Sequence, residues 1–120
     1  MVNHHIPKNL DKVFEALANE HRREIVYVVA LQPYSINQLA SMQDLSLQAI
    51  YKHIKLLEDA DMIIRKKIGR THFLTLKRKS LRGLQEWVMQ YHPYWGNDEE
   101  TLENYTQYLD EKPTRGGEKR

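Results

Sequence analysis

Residues 35–76, SINQLASMQDLSLQAIYKHIKLLEDADMIIRKKIGRTHFLTL, decide the fold. Ser35-x-x-Gln38 is a capping-box pattern, in which side chains satisfy the first free amides of a helix. It opens a third helix with Ile36, Leu39 and Met42 directed inward. Gln43, Asp44 and Leu45 leave room only for a tight turn, after which Ser46 caps a fourth helix running to about Ala60. At one residue per 100°, Leu47, Ile50, Ile54 and Leu57 fall within about 80° of one another. Gln48, Tyr51, Lys52 and Lys55 gather on a second face roughly 130° away. From Met62 the period changes to two. Ile64, Lys66 and Ile68, then His72, Leu74 and Leu76, alternate as half-buried strands do, around a Gly69-Arg70 turn. Gly69 can take the positive φ of a primed turn, and Arg70 projects from its tip.

Working outward, Asn9 is placed to cap a first helix in which Leu10, Val13, Phe14 and Leu17 share one face. Asn19 caps a second, with Ile25, Val28 and Val29 inward; its β-branched residues make packing rather than propensity responsible for it, and Pro33 closes it. Arg22 and Arg23 near its start are either solvated or phosphate-facing. Beyond the hairpin, Ser80 is placed to cap a fifth helix carrying Leu81, Leu84, Trp87, Val88 and Tyr91, which Pro93 ends close to His92. Gly96 suits the helix end. Asn97 and Glu100 form another capping-box pattern, opening a sixth helix with Leu102, Tyr105 and Leu109 on one face and Tyr108 adjoining. The expected organisation is a flexible arm over 1–8, a domain over 9–92, a helical extension over 93–112 and a disordered tail over 113–120. The fold class is mainly α with a small β-hairpin: a winged helix-turn-helix with additional N- and C-terminal helices.

The chain of 120 residues fits one domain with an appended helix, and its 41% hydrophobic and 28% charged residues allow an ordinary buried core. The absence of cysteine removes disulfides, thiolate metal sites and thiol catalysis together. Neither a bilayer-length apolar run nor a signal-peptide core is present, so the expected location is cytoplasmic, with no membrane partner. His4 and His5 read as a solvated pair rather than as metal ligands. The overall charge of +2 hides a strong asymmetry. From Ser46 to Arg82, ten Lys and Arg stand against three acids, a net of +7; from Gly83 to Lys112 the net is −6. Polyanions would approach such a molecule from one side.

A Gln-Tyr-Lys face over an apolar underside, following a capped helix and a three-residue turn, matches the way helix-turn-helix proteins enter a DNA major groove. Gln48 can pair with adenine N6 and N7, Lys52 can reach guanine O6 or N7 or a phosphate, and Ala49 with the Tyr51 ring can meet a thymine methyl. Ser46, at the helix start, completes this set. Lys55, Lys67 and Arg70 suit phosphates, with the minor groove as an alternative for Arg70. Such a face is also common on plain solvated helices; the turn, the hairpin and the local charge together favour DNA. Tyr51 reads as a base contact in preference to a packing residue. His53, about 100° from that face and beside the core, reads as a structural hydrogen-bonder. No Ser-His-Asp set, carboxylate pair or phosphate loop is visible, so neither an enzyme nor a cofactor is expected.

The run from Phe14 to Leu76 resembles the ArsR family of winged helix-turn-helix repressors. The resemblance rests on Ala16-Leu17-Ala18, Arg22-Arg23-Glu24-Ile25, Leu39-Ala40, the segment Ser46 to Leu57, Glu58-Asp59-Ala60-Asp61-Met62-Ile63 and Ile68-Gly69-Arg70-Thr71. It implies a homodimer joined through the first and terminal helices, which would bury Leu10, Phe14, Leu84, Trp87, Val88, Tyr91 and Trp95. A small-ligand pocket at the same aromatic residues is the alternative use of that stripe. Two departures stand out. Asp61 occupies a position where the family usually has glycine. Metal-sensing members carry cysteines at the positions of Ser35 and Asn37, or Asp/His sets on the terminal helix, and neither set is present; the resemblance is to a non-metal-sensing subgroup. The expected partners are double-stranded DNA with two related half-sites and a second copy of the chain. A winged helix serving as a protein-interaction module is the competing reading.

Overall fold

The computed structural model describes residues 9–92 and 96–111. They fall into two units, one ending at Gln90 and one beginning at Tyr91. The arm over 1–8, the tail over 113–120, Pro93, Tyr94 and Trp95 lie outside the described residues.

The first unit runs α1 (Leu10–Leu17), α2 (Glu20–Leu31), β1 (Tyr34–Ser35), α3 (Ile36–Gln43), α4 (Leu47–Asp59), β2 (Ile63–Ile68), β3 (Thr71–Leu76) and α5 (Lys79–Met89). Ile25, Leu39, Ile50, Ile54, Leu57, Met62 and Leu74 are fully enclosed at its centre. Each of the large residues there is worth about 2–5 kcal/mol against truncation to alanine. The fourth helix is thus held from beneath by Ile50, Ile54 and Leu57, as its periodicity predicts.

The caps explain the boundaries. Asn19 accepts from the Arg22 amide at 3.2 Å, and Ser46 accepts from the Ala49 amide at 3.1 Å. Ser35 and Gln38 form the reciprocal capping box, at 3.1 and 2.9 Å. Helices α3 and α4 end alike: the Leu45 amide reaches back to the Ala40 carbonyl at 2.9 Å and the Met62 amide to Leu57 at 3.0 Å. Each closure needs a left-handed residue, and both are aspartates, Asp44 at φ +55° and Asp61 at φ +59°. A short side chain makes that region tolerable without glycine, so the departure at Asp61 leaves the helix end intact.

Two expected caps have other duties. Asn9 makes no side-chain cap; its Nδ2 donates to the Ala60 carbonyl at 2.9 Å. Ser80 lies inside α5 rather than before it, and its buried hydroxyl donates to the carbonyls of Asp61 at 2.7 Å and Ala60 at 3.1 Å. Arg22, half-buried, and Arg23, exposed, both bond to backbone carbonyls of α1. Arg22 donates to the carbonyls of Ala16 at 2.8 Å and Glu15 at 3.2 Å, and Arg23 to that of Leu17 at 2.8 Å. Two cations therefore close the carbonyl end of α1, where the helix dipole is negative.

The sheet has three antiparallel strands in the order β1-β3-β2, so the expected hairpin gains a two-residue edge strand. Ile63 faces Leu76 and Ile68 faces Thr71, leaving Gly69-Arg70 as the connection, with Gly69 at φ +65°. The phase of β2 differs from expectation: Ile63 is buried, whereas Ile64 and Ile68 are 47% and 58% exposed. Pairing with Leu76 and Leu74 puts Ile63 and Arg65 on the core side, so Ile64, Lys66 and Ile68 take the outer face. Met42 and Leu47, expected inward, are 53% and 48% exposed. Ala40 and Leu45 supply the inward packing near the turn. Leu47 is the first residue of its helix and the member of the apolar set nearest in angle to Tyr51, so the core does not reach it.

In the second unit, Asn97 and Glu100 exchange hydrogen bonds at 2.8 and 3.3 Å as a capping box before α6 (Thr101–Glu111). Gly96, at φ +101°, lies where an added Cβ would come within 2.7 Å of the Glu100 carboxylate. Tyr105 and Tyr108 stack at 5.9 Å along α6.

Candidate nucleic-acid interface

Helix α4 presents Gln48, Tyr51, Lys52 and Lys55 on its exposed side, with Ala49 half-buried between them. Ser46 occupies the cap with its hydroxyl engaged by the Ala49 amide. Lys55 holds Asp59 one turn on, at 3.2 Å, but both side chains are largely exposed, so the pair is worth little and Lys55 is available to a phosphate. Lys67 is exposed on the sheet face that also carries Arg65, and Arg70 is exposed at the hairpin tip. Arg65 ties β2 to α4: its fork grips the Glu58 carboxylate through two bonds of 2.9 Å. The same guanidinium lies 6.0 Å from the centre of the Tyr51 ring. The Glu58 hydrogen bond is the main cause holding Arg65 in its charged form.

A second cluster joins the helices behind this face. Arg22 Nη1 donates to His53 Nδ1 at 3.1 Å, and since guanidinium only donates, the neutral His53 carries its proton on Nε2. Gln43 Nε2 donates to the His21 carbonyl at 3.0 Å, which orients its amide so that Oε1 accepts from His21 Nδ1. The two imidazoles lie 5.5 Å apart. Burial, with Arg22 and His21 adding, lowers the His53 pKa below its ordinary value. His53 is thus the structural hydrogen-bonder its angular position indicates. Arg65, Glu58 and Gln43 were not singled out in the sequence, because their partners lie on other elements.

The stripe on the terminal helix is partly uncovered. Phe14 on α1 meets Trp87 on α5 edge to face at 5.2 Å. Phe14 is 41% and Val88 52% exposed, Leu84 is half-buried against the core edge, and Leu10 is buried within the fold itself. Tyr91, in the other unit, is 68% exposed.

A capped helix, a tight turn, a second helix with a polar face and a basic hairpin beside it define a winged helix-turn-helix protein of the DNA-binding class. The chain belongs to the arsR family of bacterial regulatory proteins, whose family model matches residues 19–65. It is 33% identical over 88 residues to the uncharacterized HTH-type transcriptional regulator YuzN of Bacillus subtilis, covering 67% of this chain and 96% of that protein. It is 42% identical over 52 residues to the uncharacterized HTH-type transcriptional regulator MJ0229 of Methanocaldococcus jannaschii, covering 43% of this chain and 55% of that protein. Among solved structures, the ArsR-like transcriptional regulator from Rhodococcus sp. RHA1 superposes with a TM-score of 0.72 at 25% identity, over 88% of this chain and 94% of that one. The protein is a DNA-binding transcriptional regulator, and none of its described helices is long and apolar enough to cross a membrane.

Proposed function

We propose that the protein is a homodimeric repressor that reads two related half-sites about one helical turn apart on double-stranded DNA. The observation that carries this reading is the exposed Gln48-Tyr51-Lys52 face of α4 standing beside a hairpin that carries Lys67 and Arg70. In this assignment Gln48, Tyr51 and Lys52 contact base edges, with Ala49 and the exposed Leu47 against thymine methyls. Ser46, Lys55, Lys67 and Arg70 fix the protein on the phosphates. The dimer forms through Phe14, Leu84, Trp87 and Val88, with Leu10 supporting them from within. Control does not pass through the family's cysteine sites, since the chain has no cysteine and Ser35 is engaged as a helix cap. The protein acts in the cytoplasm, where its DNA is. If Lys55, Lys67 and Arg70 of both protomers each neutralise a phosphate, log K against log salt has a slope of about −5. Titration of a labelled duplex across salt concentrations tests this. Absence of duplex binding at low salt, or binding indifferent to salt, refutes the reading and favours a protein-interaction module.

A further inference from the structure

We infer that Arg65 is a positioning residue for base readout: anchored on Glu58, it holds the Tyr51 ring in its reading orientation and locks the hairpin to the recognition helix. The inference rests on the assignment of Tyr51 to the base-contacting face and deepens it. Arg65 lies in one of the chain's two runs of three consecutive cations, Arg65-Lys66-Lys67, where every cation is at first sight a phosphate contact. Its surroundings separate it from the other two. Lys66 and Lys67 are exposed, whereas the Arg65 and Glu58 side chains retain only 29% and 31% of their exposure. Both N–H groups on one edge of the guanidinium, Nε and Nη2, are spent on the two Glu58 oxygens at 2.9 Å. A bidentate, partly desolvated pair of this kind fixes orientation as well as charge. Glu58 is two turns along α4 from Tyr51, so the clamp spans the helix from the strand side and delivers the guanidinium to the ring, 6.0 Å from its centre.

The consequence for recognition follows from what the ring lacks. Tyr51 is 44% exposed, and the Arg65 guanidinium is its one ring-stacking or cation partner among the described residues. A tyrosine free to change rotamer must be ordered when it binds, at about 0.5–1.5 kcal/mol for such a side chain, or roughly 2- to 10-fold in affinity. Ordering it beforehand raises the preference for the correct base without adding a contact to DNA. Lysine cannot substitute, because an ammonium cannot hold two carboxylate oxygens in a plane.

The test compares wild type, Arg65→Lys, Glu58→Gln, Tyr51→Ala and the Tyr51→Ala/Arg65→Lys double variant. A selected duplex and a panel altered one base pair at a time are titrated at several salt concentrations, with melting midpoints confirming folding. Arg65→Lys and Glu58→Gln are each expected to lose about 2- to 10-fold in discrimination at the base pair that Tyr51→Ala affects. The salt slope is expected to change by well under one, and Arg65→Lys to add nothing when Tyr51 is already alanine. A uniform loss on all duplexes, without a loss of discrimination confined to that base pair, makes Arg65 a phosphate contact and overturns the clamp. Additive losses in the double variant, or unchanged discrimination in both single variants, overturn it as well. Wild-type protein without any base preference overturns the readout assignment itself, and the clamp as a readout device with it.

Discussion

Replacing Ser80 by alanine tests how the recognition helix is anchored at its far end. The Ala60 carbonyl receives Asn9 Nδ2 at 2.9 Å and Ser80 Oγ at 3.1 Å, while Asp61, which follows it, gives its carbonyl to Ser80 at 2.7 Å. Ser80 is 6% exposed and Ala60 not at all, so water does not readily replace the lost donor. A carbonyl left unsatisfied in such a place costs about 1–3 kcal/mol, and because Asn9 still serves Ala60 the expected cost of Ser80→Ala is about 1–2 kcal/mol. For a domain of this size that corresponds to a fall of roughly 5–15 °C in melting temperature. Asn9→Ala, which leaves Ser80 in place, should cost about 0.5–1.5 kcal/mol. The double variant deprives Ala60 of both donors and should exceed the sum of the singles by more than about 0.5 kcal/mol. Urea unfolding followed by far-UV circular dichroism, at one fixed protein concentration because a dimer couples stability to concentration, measures all three. A loss below about 0.3 kcal/mol for Ser80→Ala, or strict additivity, refutes the shared anchor. The point bears on function as well as stability. Asn9 precedes α1 and Ser80 belongs to α5, so these hydrogen bonds tie both helices to the end of α4.

Three further outcomes are expected. Gln48→Ala should relax sequence preference by about 1–3 kcal/mol at one base pair, whereas Arg70→Ala should weaken all duplexes alike; equal and sequence-independent losses in a competition assay contradict these roles. Trp87→Ala removes the ring that Phe14 meets at 5.2 Å and should shift the protein toward monomer in sedimentation at low micromolar concentration, so an unchanged mass refutes the interface. The lowered pKa of His53 means that the folded protein keeps it neutral while the unfolded chain binds a proton, so its contribution is complete above its ordinary 6.5 and is lost as pH falls through the folded value. His53→Gln, which can still accept from Arg22, should flatten the decline in stability on acidification below that point, and identical pH profiles for the two proteins argue against it.

The sequence by itself determined the elements that repeat or cap. The periodicity of Ile50 to Leu57, the capping boxes at Ser35 and Asn97, the hairpin turn at Gly69 and the exposed Gln48-Lys52 face were all legible, because each depends on neighbours a few residues apart. What only the tertiary structure decided involves partners distant in the chain. Asn9 and Ser80 look like helix caps by spacing, yet Ala60 claims them, because a carbonyl at a buried helix end must be satisfied by whichever donor packs against it. Arg22 and Arg23 read in sequence as either solvated or phosphate-facing, and only the fold shows their bonds to the carbonyl end of α1. The phase of β2 was set by its register with β3, a choice between Ile63 and Ile64 that alternating apolar residues on both phases could not make. Arg65 is the clearest case. In sequence it is one cation in a run of three, and only the approach of the strand to α4 makes it the partner of Glu58 and the neighbour of Tyr51, since ion-pair geometry belongs to the fold and not to spacing along the chain.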